Sequence, residues 1–398
     1  MLTVDEALAR LLDGVRLADG EEVGLAAALG RVPAEPHVAA PIDVPPFANS
    51  AMDGYALRAA DGGTPRRVVG ESRAGGPRAA AVEPGTAVRI MTGAPMPDGT
   101  DTVVPIEEAE ERAGMVTLAT TPSPGAHRRP AGLDVRRGEL VPLPRSPITP
   151  SGIGLLAAMG IARIEVRRRP RVAILSTGDE LRDPGSSLGH GEIYDANAPA
   201  LAAAVIEAGA EPIMLERARD EPDLIEARVR EGADQADLLI VSGGVSVGDH
   251  DHVRGVIERL GALDFWRIAV QPGKPLAFGR VGETPVIGLP GNPVSALVTF
   301  ELFVRPMLRA MVGLTGDGRL RVPVRVSEAI SKDPARRAYL RVLVERDFDG
   351  YRGTSAGGQG SSQLLPLASA NALLIVPEGV PATEPGRSYE ALLLGGMT

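Results

Sequence analysis

Not one cysteine occurs among the 398 residues. That excludes disulfides, zinc thiolates, thiolate-held iron–sulfur clusters and a cysteine nucleophile, and it agrees with a reducing cytoplasm. Aromatic residues make up only 3% of the chain, and its formal net charge is −9. A base-stacking surface needs rings and positive charge, so no nucleic-acid partner is expected. The negative total still leaves room for an anionic ligand, because local arginine clusters set the field at a site. No stretch approaches the roughly 18 apolar residues of a membrane span. The opening "MLTVDEALARLLDG" has neither a basic start nor a long apolar run, so no signal peptide is expected. A soluble, cytoplasmic protein without a membrane partner is the expectation. Lysine is nearly missing too: Lys274 and Lys332 stand alone in a basic set of 42 that is otherwise arginine. A lysine retained in so arginine-rich a chain is retained either for its chemistry or by chance.

What is present is enough apolar side chain, 44%, for real cores, on a chain long enough for two to four domains. Thr3 to Glu6 reads as a capping box opening a helix with Val4, Ala7, Leu8 and Leu11 on one face. "PPFANSAMDGYA" (45–56) makes poor helix and poor strand, with a buried-looking Phe47. Residues from about 38 to 150 carry short strand-like runs, "AVRIM", "TDTVVPIE" and "GMVTLAT", between Gly-Pro turns. "TPSGIGLLAAMGIARIEV" (149–166) returns to helix with Ser151 as N-cap. Its G-x-G-x-x-A match has no strand before it, which argues against a dinucleotide site. From Pro170 strands alternate with helices, giving a mostly parallel α/β sheet covered on both faces. After Gly316 alternating runs predict a small β-barrel or sandwich. Four regions result: a discontinuous linking domain (1–45 with 133–168), a β-rich domain (46–132), an α/β domain (169–314) and a C-terminal β-barrel (315–398).

Ligands of an open α/β sheet bind beyond the carboxyl ends of its strands. Three such ends carry unusual loops: "AILSTGDEL" (173–181), "LLIVSGGVSVGDHDH" (238–252) and "VIGLPGNPVSAL" (286–297). Their glycines allow close backbone approach to an anion, and none ends in the G-K-[ST] of a Walker A loop. Glu180, Asp220, Asp249 and Asp251 crowd the same edge and suit a hard cation such as Mg²⁺ sharing its shell with phosphate. The bland alternative is that Asp249 and Asp251 cap the helix near His252. A transition metal at "DHDH" is disfavoured by period-2 spacing in a loop. Lys274 sits between prolines in "AVQPGKPLAFG" (269–279), where a pinned point charge suits an oxyanion and a surface turn is the alternative. The arginines around Asp134, the "RRRP" run at 167–170 and the group Arg336, Arg337 and Arg341 read as solvated faces, a linker and an exposed strand edge.

"PPFANSAMDGYA", "MTGAPMPDGTDTVVPIEE", "RPAGLDVRRG", "STGDEL", "GEIYDAN", "VSGGVSVGDHD", "PGKPLAFG" and "GLPGNPVSA" occur in the order found in molybdopterin molybdenumtransferases. The chain thus resembles these MoeA-type enzymes, related to the E domain of gephyrin, over nearly its whole length. The resemblance implies that adenylylated molybdopterin and molybdate react to give molybdenum cofactor and AMP, with Mg²⁺ assisting. It implies an active-site pair in Asp53 and Thr92, with Asp134 a third acid from the same region. Glu180, Asp220 and Asp251 would line the sheet edge around Mg²⁺ and phosphate. Gly243, Gly244 and Ser246 would cradle phosphate, and Lys274, Ser295 and Arg336 would hold molybdate. It further implies a homodimer in which one subunit's β-rich domain closes the other's site, with the adenylyltransferase and molybdoenzymes as further partners. Read without the resemblance, Asp53-Gly54 is simply a turn. Two departures touch molybdate handling: Gln271 stands where many relatives carry Lys, and Leu365-Pro366 in "GSSQLLPLASAN" where relatives often show paired serines. The rival functions are the adenylyltransferase itself, which shows Gly-Gly-Thr-Gly where this chain has Gly243-Gly244-Val245-Ser246, and a non-catalytic gephyrin-like scaffold.

Overall fold

The computed structural model describes residues 1–244 and 252–395, apart from the side chain of Trp266. The chain divides into two compact units, Gly20–Val166 and Met1–Asp19 with Arg167–Thr398. Helix α1 (Val4–Leu12) opens with the expected capping box, Thr3 Oγ1 accepting from Glu6 N and the Glu6 carboxylate accepting from Thr3 N. Its buried face of Val4, Ala7 and Leu11 enters the same apolar core as Val172 and Ile174, so α1 belongs to the larger unit.

The smaller unit is built on a sheet of β1 (Gly54–Leu57), β2 (Arg66–Ser72), β3 (Thr86–Ile90), β4 (Thr102–Pro105), β5 (Ala109–Arg112) and β6 (Met115–Leu118), in the order β4-β1-β3-β2-β6-β5. The tail of "PPFANSAMDGYA" is therefore strand after all. β1 is buried throughout because it lies between β3 and β4. Phe47 is exposed, against its buried look in the sequence. Beside this sheet, Gly20–Gly24 pairs with Arg163–Arg167 and His37–Ala39 with Leu140–Pro142. Helix α2 (Pro150–Ala158) is capped by Thr149 Oγ1, which accepts from Gly152 N, and not by Ser151. Pro150 has no amide to donate and favours the first helical position, which moves the cap one residue earlier than Ser151 would place it.

The larger unit holds a six-stranded sheet of β7 (Arg171–Ser176), β8 (Glu211–Met214), β9 (Leu238–Ser242), β10 (Gly261–Arg267), β12 (Pro275–Val281) and β13 (Thr284–Leu289); β11 (Val270–Gln271) leaves it for the next sheet. The order is β8-β7-β9-β13-β12-β10, parallel over the first four and antiparallel over the last two. The two antiparallel strands were not legible in the sequence. Among the described residues α3 (Asn197–Glu207), α4 (Pro222–Gln235), α5 (His252–Leu260) and the segment α6 (Pro293–Thr299), Phe300–Val304 and α7 (Arg305–Met311) cover the sheet. A second sheet closes on itself as a five-stranded barrel of β14 (Arg321–Val326), β15 (Arg337–Asp347), β16 (Gly350–Ser355), β17 (Ala372–Val376) and β18 (Ser388–Leu393), with α8 (Leu364–Ser369) between β16 and β17. Closure removes the unpaired edges an open sheet would expose. β11 adds to the barrel in parallel on β15, tying the two sheets together. Arg168 is more than linker: it forks onto Asp237 at 2.6 and 2.7 Å, fastening the entry of β7 to that of β9.

Candidate functional site

The site follows from strand register. Ser176 at the end of β7 lies opposite Ser242 of β9, which lies opposite Leu289 of β13. Three carboxyl ends thus finish level, and the loops after them share one mouth. A further parallel bridge, Thr177 to Ala218, brings the segment carrying Asp220 to the same edge. Asn197 closes the group, donating from Nδ2 to Ser242 Oγ at 2.8 Å and to the Gly291 carbonyl at 2.7 Å. Two glycines let the second loop lie flat on the first. A Cβ on Gly243 would stand 2.5 Å from the Thr177 carbonyl oxygen, and one on Gly244 2.6 Å from Val253 Cγ2, and both have positive φ.

The result is a cavity of about 950 Å³, at the upper end of the roughly 300–1,000 Å³ of small-molecule sites. Glu180, Asp220, Gly243, Gly244, Lys274, Ser295 and Arg336 all line it. The first four belong to the sheet edge, Lys274 to the loop after β11, Ser295 to α6 and Arg336 to the turn before β15. Glu180 and Asp220 make no ion pair among the described residues, whereas Arg336 pairs with Asp333 through Nε at 2.7 Å. The hydroxyls of Ser176 and Thr177 are buried without a hydrogen-bond partner among the described residues, and Thr177 lines the cavity. A buried hydroxyl with no protein partner is a group that a bound ligand can satisfy. Ser246, Asp249 and Asp251 lie outside the described residues, and so does most of "DHDH". Among the described residues no three acidic or histidine side chains form a metal cluster.

Asn197, Gln359, Ser361 and Ser362 line the cavity without having been singled out as site residues. For Ser361 the structure supplies the reason: its Oγ accepts from Asn292 Nδ2 at 3.0 Å and its carbonyl accepts from Val294 N, docking the loop before α8 on the start of α6. Leu365, by contrast, is exposed on α8. The arginine group read as an exposed edge is not one. Arg341 is 1% exposed and donates to the carbonyls of Gly358 and Gly360, and its backbone grips the Gln359 side chain. Arg337 forks onto Asp5 at 2.9 Å on both arms.

In the smaller unit Asp53 and Thr92 meet as one device. Asp53 Oδ1 accepts from Thr92 N at 2.6 Å and from Thr92 Oγ1 at 2.8 Å. Those two donors, the backbone one first, hold the exposed Asp53 carboxyl below the ordinary range. Asp134 is exposed on the loop before the strand Leu140–Pro142, and no hydrogen bond or ion pair joins it to Asp53 or Thr92. The arginine-rich run before it contributes Arg128 and Arg129, which pair with Ser50 and Asn49.

Three family descriptions match the chain: the MoeA N-terminal region, domains I and II, over residues 2–160; a probable molybdopterin-binding domain over 173–310; and the MoeA C-terminal region, domain IV, over 323–394. The "Molybdopterin molybdenumtransferase 2" of Mycobacterium tuberculosis is 40% identical over 89% of this chain and 90% of its own. The molybdopterin molybdenumtransferase of Haemophilus influenzae is 37% identical over 95% of each. A molybdopterin biosynthesis MoeA protein from Pyrococcus horikoshii superposes with a TM-score of 0.87 at 32% identity, covering 100% of both chains. The multidomain α/β architecture with its closed barrel is that of the MoeA-type, molybdopterin-handling transferases. The chain belongs to the molybdopterin molybdenumtransferase family, as the resemblance in its motifs implies.

Proposed function

We propose that the chain carries out molybdenum insertion, converting adenylylated molybdopterin and molybdate to molybdenum cofactor and AMP. One observation carries the reading: level strand ends and small-residue loops converge on a cavity that combines two acids, Glu180 and Asp220, with the cations Lys274 and Arg336. Both reactants are anions, and they need cationic and N–H contacts. The metal-binding sulfurs are the substrate's own dithiolene, so a chain without cysteine lacks nothing the reaction requires.

Gly243 and Gly244, with Ser246, are proposed to cradle phosphate, and Lys274, Ser295 and Arg336 to hold molybdate. Two lining carboxylates that make no ion pair among the described residues suit a hard divalent cation that completes its shell with substrate oxygens. Glu180 and Asp220, joined by Asp251, would hold Mg²⁺, which supplies charge neutralisation at the phosphoanhydride when bound. Asp53, aimed by Thr92, and Asp134 are proposed to act from the smaller unit. Exposed Phe47 and Met52 precede Asp53 in the stiff segment that carries it, which supports a subunit contact there and hence a homodimer. No described helix is long and apolar enough to cross a membrane, and a cytoplasmic site of action is proposed, with the adenylyltransferase and molybdoenzymes as supplier and recipients. A linking region, a β-rich region, an α/β region and a barrel region are proposed, with residues 1–19 going to the α/β region and not to the linking one.

The test is to mix purified protein with adenylylated molybdopterin, molybdate and Mg²⁺ and to follow AMP and cofactor. Molybdate-dependent AMP release is expected. Adenylyl transfer from ATP to molybdopterin by this protein alone would overturn the reading in favour of an adenylyltransferase, and no turnover by folded protein would favour a scaffold.

A further inference from the structure

The turn Lys332–Arg336 is held far more firmly than a surface turn requires. Lys332 is buried, and its Nζ donates to the carbonyls of Asp333 and Arg336, so the second of the two lysines in the chain acts as a staple. Both oxygens of Asp333 are committed: Oδ1 accepts from Ala335 N at 2.9 Å and Oδ2 from Arg336 Nε at 2.7 Å. The Asp333 amide in turn donates to Gln271 Oε1 at 2.9 Å, tying the turn before β15 to the end of β11, where Gln271 also lines the cavity. A main-chain N–H can only donate, so the Gln271 carbonyl must face Asp333, and the orientation of its amide is fixed by chemistry. Arg336 spends only Nε on this arrangement. Its two terminal nitrogens have no partner among the described residues, and Arg336 lines the cavity.

We propose that Gln271 and Asp333 are positioning residues forming a relay, Gln271 Oε1 to Asp333 N and Asp333 Oδ2 to Arg336 Nε, that presents the terminal nitrogens of Arg336 to the oxyanion. The inference rests on the reading of this cavity as the molybdate site. The relay gives up charge for geometry. An acid set beside an anion-binding arginine lowers the local positive potential, and Coulomb's law alone says that its removal tightens anion binding. The relay says the reverse, because a guanidinium offers an anion two parallel bonds only when its plane is fixed, and a free arginine must be immobilised at the moment of binding. The neutral amide at position 271 follows from the same logic: an ammonium there has no lone pair to accept from Asp333 N and would leave that N–H unpaired.

The opposite signs make the test decisive. Inorganic molybdate binding to the full-length protein is measured by calorimetry for wild type, Asp333→Ala, Gln271→Met, Arg336→Ala and the double variant Asp333→Ala with Arg336→Ala. Unfolding curves are recorded for each. Asp333→Ala is expected to weaken molybdate about tenfold although it removes a negative charge, and Gln271→Met to weaken it several-fold. In the Arg336→Ala background Asp333→Ala should no longer weaken binding, which a general loosening of the fold would not reproduce. Wild-type or tighter binding by Asp333→Ala, alongside weakened binding by Arg336→Ala, would overturn the relay alone. If Arg336→Ala binds molybdate as wild type does, the reading of the cavity fails and the relay falls with it. Should Asp333→Ala not fold, Gln271→Met decides by the same criterion, unchanged affinity being the refuting result.

Discussion

Gly54 offers the sharpest test of how the fold holds Asp53. It sits in β1 between β3 and β4, opposite Ile90 on one side and Pro105 on the other. A Cβ added there would lie 2.9 Å from the Val104 carbonyl carbon and 3.0 Å from Pro105 Cα, and closer still to the Val104 oxygen. All three are backbone atoms of β4, so no rotamer change can relieve the overlap and the two strands must part. Overpacking of this kind costs about 1–3 kcal/mol. Loss of one or two ladder hydrogen bonds adds roughly 1 kcal/mol each, and the backbone advantage of Ala over Gly returns about 0.5–1 kcal/mol. The net expectation for Gly54→Ala is a loss of about 2–4 kcal/mol, which for a unit of this size lowers Tm by roughly 5–12 °C. Gly70→Ala is the internal control. It lies in β2 of the same sheet, its Cβ would meet nothing within 4 Å, and its φ is not in the left-handed region. That variant should be neutral or more stable by up to about 1 kcal/mol. Thermal unfolding of both, followed by a probe in the smaller unit, gives the answer. If Gly54→Ala unfolds within 1 °C of wild type, β1 is not pinned as described and the account of how Asp53 is held is wrong.

Three further outcomes are expected. Because the donors of Thr92 favour the ionised carboxylate, Asp53 should titrate below its ordinary value of 3.8; Thr92→Val removes the hydroxyl but keeps the N–H, so carboxyl NMR should show the midpoint rising, and an unmoved midpoint would refute the assignment. Burial alone would raise the carboxyl of Asp237, but the fork from Arg168 and the N–H of Arg171 outweigh it and hold it low. A depressed folded value means stability that is fully present above the ordinary 3.8 and lost as pH falls through the folded value. Asp237→Asn should therefore cost about 1–3 kcal/mol at neutral pH, with the gap to wild type narrowing in acid, and a gap that is constant with pH would sink this reading. Gly243→Ala, whose Cβ would press on the Thr177 carbonyl at a φ of +96°, should lose most AMP-releasing activity while keeping a cooperative unfolding transition; full activity would show that the second loop need not lie flat on the first.

The parts of this fold that were legible in the sequence are those written in local pattern. The capping box at Thr3 and Glu6, the alternation after Pro170 and the small-residue loops at 176–180, 242–244 and 290–292 each declare themselves within a dozen residues. What stayed hidden depends on pairing and burial that no local pattern declares. β10 and β12 form the antiparallel flank of the sheet because β12 pairs with β10 on one side and with β13 on the other, and β12 is buried there among residues that no period of two predicts. Arg341 looked like one of a charged trio because nothing near it in sequence says that its guanidinium will be buried under the carbonyls of Gly358 and Gly360.

The two lysines make the same distinction at the site. Lys274, framed by Pro272 and Pro275, could be singled out for its chemistry from the sequence, and it lines the cavity. Lys332 could not, since its work is done on carbonyls of its own turn. An arginine would not replace it easily. The ammonium is a compact point donor that fits between two converging carbonyls, whereas a planar fork needs acceptors spread in one plane. In a chain that otherwise uses arginine for every basic position, the two lysines do different work. One faces the cavity, and the other fixes the turn from which Arg336 reaches it.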